Sequence, residues 1–157
     1  KLLEALVQRG GRVATHAQLL KEVWGPGSEG QVHYVRIFMA QLRRKLEKKE
    51  HANAMQYVKT RHYEAAGIAL RNFVKKWPNS GYREEVLYNI LLTDHDLALY
   101  SVDTKKAQRV AEGMHSFDTF ADAFPQGELL KDAQRLRDDL TQLQEKLNRT
   151  PVTATEP

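Results

Sequence analysis

The sequence predicts an all-α fold, and three features of the 157-residue chain lead to this class. Apolar residues recur at spacings of three and four over most of its length, as on the buried face of an amphipathic helix. Clusters of glycine and proline divide these segments into lengths that are typical of helices in globular proteins. No segment shows a convincing alternation of apolar and polar residues, which a half-buried strand requires.

Two short helices are predicted at the N-terminal end. The first starts at Leu2 and is stopped by the Gly-Gly pair of residues 10–11, after which a brief extended piece follows. Thr15 is a suitable N-cap for the second helix, because its hydroxyl can accept a hydrogen bond from an unpaired backbone N–H. This second helix ends at Trp24, where the Gly-Pro-Gly sequence of residues 25–27 breaks it.

A longer third helix is predicted from residue 31 to residue 50. Four of its apolar residues follow one another at spacings of four, three and four, and share a face that we expect to point inward: Val35, Met39, Leu42 and Leu46. Phe38 widens this stripe. Residues 51–63 are less regular, and they could continue the helix toward a turn at Arg61-His62.

Four further helices are predicted in the rest of the chain. They cover residues 63–76, 82–99, 104–124 and 128–148, with turn-forming residues between them. Residues 72–80 and 119–127 echo each other, because each has an aromatic residue, three further residues, a second aromatic residue and a proline. Residues 149–157 are rich in proline and threonine, so we expect a disordered tail there.

Charge is distributed unevenly along the chain. Residues 1–49 contain ten Lys/Arg and four Asp/Glu, whereas residues 50–157 contain fourteen and sixteen, so a basic block precedes a mildly acidic remainder. This asymmetry indicates that the two parts of the chain interact with different kinds of charged surface. The absence of cysteine excludes disulfides, thiol catalysis and cysteine-ligated zinc. No apolar run is long enough for a transmembrane segment, and a first residue other than Met suggests an excised fragment.

No catalytic, metal or cofactor site is predicted. Asp94-His95-Asp96 is the tightest cluster of metal-ligand residue types, but adjacent side chains on a helix point about 100° apart and cannot share one ion. The acidic pairs at residues 84–85 and 138–139 are expected on solvated helix faces. No phosphate-binding glycine loop or nucleophile motif occurs. We therefore predict a binding protein, without cofactor or small-molecule substrate, rather than an enzyme.

A specific pattern lies in the N-terminal segment, where Val-Trp-Gly at residues 23–25 is followed at a fixed distance by Leu-Arg-Arg-Lys-Leu-Glu at residues 42–47. Together with residues 2–15, 18–22 and 33–39, this pattern resembles the effector domain of OmpR/PhoB-type response regulators, and most of all their potassium-transport members. The resemblance implies a helix-turn-helix segment that binds double-stranded DNA through residues 24–44, with residues 31–47 as the recognition helix in the major groove. The N-terminal sheet, wing hairpin and receiver domain of that family are missing from this sequence.

The resemblance also assigns roles to side chains outside the apolar stripe. The positions that contact backbone phosphates in the family are occupied by Trp24, His33, Tyr34 and Arg43. The positions that face the bases are occupied by Arg36, Ile37 and Gln41. Arg44, the basic residue next to Arg43, completes the predicted DNA-binding set. The alternative is a basic, solvated helix with no role in nucleic-acid binding.

Residues 63–66, 73–80, 83–88, 100–103 and 117–124 carry a second resemblance, which extends over residues 57–147 and is to the BamD family of outer-membrane assembly lipoproteins. It implies tetratricopeptide-like helical repeats that bind protein partners of the β-barrel assembly machinery along a concave groove. Six basic residues could line such contacts: Arg61, Lys75, Lys76, Arg83, Lys105 and Lys106. The lipidated cysteine and the first repeats of that family are missing.

The sequence therefore predicts a three-helix helix-turn-helix segment over residues 1–48, tetratricopeptide-like repeats over 49–148 and a disordered tail over 149–157. A protein-binding scaffold is the favoured function because its resemblance covers more of the chain, and a DNA-binding transcriptional regulator module is the alternative. The first would place the protein in the periplasm at the outer membrane and the second in the cytoplasm, so a chimera or fragment is a further hypothesis. The open question is whether the stripe of residues 35, 39, 42 and 46 packs on residues 2–23 or beyond residue 57.

Overall fold

Every regular element is an α-helix in the computed structural model, which describes residues 1–28 and 30–149. The prediction of an all-α fold is therefore confirmed. The helices, in chain order, are α1 (Leu2–Gln8), α2 (His16–Trp24), α3 (Val32–Lys59), α4 (Tyr63–Lys76), α5 (Arg83–Leu99), α6 (Asp103–Ala123) and α7 (Leu130–Arg149). Of the tail predicted over residues 149–157, Arg149 ends α7 and the rest lies outside the described residues. None of the helices described is both long and apolar enough to cross a membrane.

The chain divides into two compact units, one of residues up to Lys48 and one from Lys49 onward. In the N-terminal unit, the core consists of Ala5 from α1, Leu19 and Leu20 from α2, and Val35 from α3. Of these residues, Val35 belongs to the predicted stripe of α3, and the removal of all four from water is the main stabilising contribution in so small a unit.

Polar contacts fix the ends of the two short helices in this unit. The Thr15 hydroxyl accepts a hydrogen bond from the Gln18 N–H at 3.2 Å, and the Gln18 side chain accepts one from the Thr15 N–H at 3.0 Å, which together form a capping box. The predicted N-cap is thus confirmed. Arg9, just after α1, pairs with Glu22 of α2 at 2.5 Å and so ties the two helices together.

The third helix is longer than predicted, because it continues past residue 50 to Lys59. Residues 51–59 thus continue the helix, which was one of the possibilities that their irregular sequence allowed. The helix stops at a turn in which Arg61 adopts a φ of 56° and the His62 N–H donates to the Tyr57 carbonyl at 3.0 Å. This left-handed residue followed by a return hydrogen bond is how helices commonly end, here without the usual glycine.

The second unit packs α4, α5, α6 and α7 around a core that includes the fully buried side chains Leu70, Val86, Leu91, Phe120 and Leu140. The aromatic residues of the two echoing motifs contribute to this core, as their spacing predicts, with Phe73 and Phe120 buried and Trp77 and Phe124 partly buried against them. Helix α5 is the central element, because it contacts α4, α6 and α7.

A buried polar network joins three of these helices. Asp94 of α5 is almost fully buried and accepts hydrogen bonds from Arg71 of α4, at 2.6 and 2.8 Å, and from the Ser116 hydroxyl of α6, at 2.5 Å. Gly67 makes room for this arrangement, because a Cβ atom at residue 67 would lie 2.8 Å from Nη1 of Arg71. The carboxylate of Asp94 is therefore a structural group that links helices.

Candidate nucleic-acid interface

The predicted inward stripe of α3 packs on the N-terminal helices over only part of its length. Val35 is completely buried among residues of α1 and α2, and Met39 packs against the same cluster. Leu42 is half-buried outside that cluster, and Leu46 remains 43% exposed. The expectation that all four residues share one buried face is thus wrong for the last turns. The reason is that the core cluster of this unit includes residues of α3 only as far as Met39, so the turns that contain Leu42 and Leu46 lie beyond it.

All eight side chains predicted to bind DNA lie on the exposed surface of this unit: Trp24, His33, Tyr34, Arg36, Ile37, Gln41, Arg43 and Arg44. Successive helical residues are about 100° apart, so the side chains at positions 33, 37 and 44 lie broadly opposite Val35. By the same geometry, Arg36 and Arg43 share one flank of α3, and Tyr34 and Gln41 share the other. The first three turns of α3 therefore present one outward face with two flanks.

The aromatic residue at the end of α2 is held against α3. The Trp24 ring stacks on Phe38, with ring centroids 5.6 Å apart and an interplanar angle of 30°, and both side chains remain partly exposed. Phe38 therefore lies at the edge of the apolar face rather than inside it, which corrects its predicted role in the inward stripe. The stack fixes the indole of Trp24 beside the outward face of α3.

The connection between α2 and α3 is a tight turn. Gly25 and Gly27 adopt φ values of 94° and 89°, which favour glycine because it has no Cβ atom. The Ser28 hydroxyl donates to the Gly25 carbonyl at 2.6 Å, and the Gln31 N–H donates to the Ser28 carbonyl at 2.9 Å. Sequence reasoning missed Ser28, although a serine after Gly-Pro-Gly is a common turn signal.

The electrostatics of this face are one-sided. Between Val32 and Leu46, α3 contains three arginines and one lysine and no acidic residue, and Glu47 is the first carboxylate. A row of exposed cations beside aromatic and amide side chains is suited to a polyanion whose phosphates lie on either side of a groove. The face can donate hydrogen bonds to phosphate oxygens and to the acceptor edges of bases.

The six residues predicted as protein contacts are distributed over several elements of the second unit. Lys76 pairs with Glu50 at 2.5 Å, Lys106 pairs with Asp103 at 2.9 Å, and Arg83 donates to the Pro78 carbonyl at 3.1 Å. The other three lie at the turn after α3, on α4 and at the start of α6: Arg61, Lys75 and Lys105.

The side chains of residues 94–96 have different sets of partners. Asp94 faces Arg71 and Ser116, whereas the His95 Nδ1 lies 3.1 Å from Oδ1 of Asp96. Within the described residues, no group of three or more His, Cys, Asp or Glu side chains is placed to hold a metal ion. The expectation of solvated acidic faces is wrong for Glu84, which accepts a hydrogen bond from the Leu129 N–H at 3.2 Å.

Comparison with known proteins finds similarity in the N-terminal part of the chain. Residues 1–64 match the family model described as "Transcriptional regulatory protein, C terminal". The transcriptional regulatory protein KdpE of Mycobacterium tuberculosis (strain ATCC 25618 / H37Rv) is 50% identical over 46 residues, which are 29% of this chain and 20% of the relative. The KDP operon transcriptional regulatory protein KdpE of Escherichia coli (strain K12) is 49% identical over 47 residues, which are 30% of this chain and 21% of the relative. The chain thus spans about a fifth of the length of these relatives.

These matches support the predicted resemblance to an OmpR/PhoB-type effector domain, and they overturn the favoured functional prediction. A protein-binding scaffold of the BamD type, with partners in the β-barrel assembly machinery, is wrong, because the similarity found is to transcriptional regulators. That prediction preferred the resemblance that covers more of the chain over the N-terminal resemblance, whose sequence pattern is more specific. The aromatic and proline spacing on which it rested is explained by the core of the second unit, where these residues pack.

Proposed function

We propose that this chain is a DNA-binding module of a transcriptional regulator, in which the first half of α3 enters the major groove of double-stranded DNA. The observation that carries the proposal is the coincidence of two independent features. The segment that matches transcriptional regulators contains α2 and α3, and the outward face of these helices presents all eight candidate side chains to solvent. An exposed basic face on a helix that is packed by its opposite side is what major-groove recognition requires.

The side chains divide into two groups by the chemistry of their hydrogen-bond donors. Arg43 and Arg44 carry permanent charge at the far end of the face and are suited to phosphates, as are the hydroxyl of Tyr34 and the indole N–H of Trp24. Arg36 and Gln41 have planar donor groups that can pair with base edges. Ile37 is exposed between them and suits the methyl group of thymine.

The module we propose relies on the major groove alone. In OmpR/PhoB-type effector domains a wing hairpin follows the recognition helix, whereas residues 49–59 of this chain are helical and part of α3. The matched segment nevertheless extends to residue 64. We therefore expect moderate affinity with strong salt dependence, because contacts from one helix are dominated by phosphate neutralisation.

Binding is tested by fluorescence anisotropy of a labelled duplex of mixed sequence, titrated with the full chain at about 50 and 200 mM salt. We expect binding at the lower salt concentration and a marked loss at the higher one. No binding at low salt would refute the proposal.

Location is tested with a pair of double variants that remove the same charge. Arg43→Ala with Arg44→Ala removes two phosphate contacts, so the slope of log affinity against log salt should fall by about 1.8. A fourfold rise in salt would then weaken binding about 12-fold less than in the unmodified chain. The control is Lys105→Ala with Lys131→Ala, two exposed residues of the second unit. Equal effects of both pairs would mean that net charge, and not this face, governs binding.

A further inference from the structure

The outward face of α3 does not end at Arg44. Ile37, Gln41, Arg44 and Lys48 follow one another at spacings of four, three and four, so they share one strip of the helix surface. Lys48 is exposed, and α3 continues through it to Lys59, so its position is set by regular helix on both sides. The helix therefore carries a fixed positive charge one turn beyond the residues considered above.

The length of the strip determines what this charge can reach. Residues 33–44 extend about 16 Å along the helix axis, whereas the major groove is about 12 Å wide. Lys48 lies about 6 Å further along the axis than Arg44. Because the N-terminal residues of a recognition helix contact base edges inside the major groove, the turn that contains Lys48 passes over the edge of the groove, where the phosphates lie.

The chemistry of the side chain agrees with this position. A lysine ammonium group is a compact charge that binds phosphate without the planar geometry that recognition of base edges requires. Glu47, the nearest acidic residue in the sequence, points about 100° away around the helix, toward the side of Arg43.

We propose that Lys48 binds a backbone phosphate at the edge of the major groove and sets the affinity of the module without contributing to its sequence preference. This inference rests on the proposed function and adds a residue to that site. The next residue provides a matched control, because Lys49 is also exposed and has the same charge but is offset from Lys48 by about 100° around the helix.

The test compares Lys48→Ala with Lys49→Ala in the full chain, using the labelled mixed-sequence duplex at about 50 and 200 mM salt. Lys48→Ala should lower the salt slope by about 0.9, which makes the loss of affinity between the two concentrations about 3.5-fold smaller. Lys49→Ala should leave the slope unchanged, and Lys48→Arg should restore it. Alanine preserves the helix, so circular dichroism of both variants should match the unmodified chain.

The outcomes separate this inference from the function on which it rests. If the unmodified chain binds and Lys48→Ala keeps the full slope, the inference fails while the DNA-binding function stands. Equal losses in Lys48→Ala and Lys49→Ala would also overturn it, because the charge would then act without regard to its place on the helix. Absence of binding by the unmodified chain would remove both. Selection from random duplexes should return the same sequences for Lys48→Ala as for the unmodified chain.

Discussion

Removal of the Asp94 carboxylate should destabilise the second unit through one specific partner. In Asp94→Ala, the Ser116 hydroxyl loses its acceptor in a buried position, which costs about 1–3 kcal/mol. Arg71 also loses its partner, but its side chain is 48% exposed and water can solvate the guanidinium, so this loss adds at most about 1 kcal/mol. We expect a net destabilisation of about 2 kcal/mol.

A double-mutant cycle identifies the origin of that loss. Ser116→Ala in the unmodified chain should cost about 1 kcal/mol, because Asp94 keeps both contacts with Arg71. In the Asp94→Ala background the same substitution should cost nothing or stabilise the unit, because it removes a buried hydroxyl without a partner. An equal cost of Ser116→Ala in both backgrounds would refute the account of the network.

The two tryptophans allow each unit to be followed separately. Trp24 lies in the N-terminal unit and Trp77 in the second, and the chain has no others. Urea unfolding of a Trp24→Phe background, monitored by the fluorescence of Trp77, reports the second unit alone. Urea is preferred to guanidinium chloride because added salt would screen the ion pair under test.

Three further predictions concern stability. Leu20→Ala should destabilise the N-terminal unit by about 3 kcal/mol, because it leaves a cavity at a fully buried position. Urea unfolding in a Trp77→Phe background, monitored by the fluorescence of Trp24, measures this loss, and a loss below about 1 kcal/mol would contradict the prediction. Gly113→Ala should cost about 1–3 kcal/mol, because its Cβ would lie 2.8 Å from Cδ1 of Leu140; an unchanged urea midpoint would show that α6 and α7 can separate freely. Burial raises the pKa of Glu50, but hydrogen bonds from a lysine and a tryptophan and the lysine charge outweigh it, so the pKa lies below its ordinary 4.5. The resulting stabilisation is present above pH 4.5 and lost as the pH falls through the lower folded-state pKa, so the stabilities of the unmodified chain and Glu50→Gln should converge in acid; a constant difference would exclude this role.

Local signals in the sequence were sufficient for the helices and for the exposed face of α3. Thr15 as an N-cap and the glycines after Trp24 act through their immediate neighbours, so they could be identified from sequence alone. The same holds for the helical spacing that separates Val35 from the exposed arginines. The candidate site lies on one helix and the end of another, and its residues were named from the resemblance to OmpR/PhoB-type effector domains, whereas helical spacing predicted only that they lie outside the apolar stripe.

Features that depend on packing partners could not be predicted in this way. Leu42 and Leu46 have the spacing of core residues, yet they lie outside the core cluster of the N-terminal unit, and Leu46 is exposed. The role of Asp94 depends on Arg71 and Ser116, which are 23 and 22 residues away along the chain. Periodicity reports which residues share a face and carries no information on what lies against that face.

The close approach of Arg71 to Gly67 limits which substitutions residue 67 can accept. A Cβ atom at residue 67 would lie 2.8 Å from one nitrogen of the Arg71 guanidinium, whose other nitrogen donates to Asp94. A replacement at residue 67 is therefore expected to displace Arg71 and weaken its ion pair with Asp94, so the effects of substitutions at residues 67, 71 and 94 should not be additive.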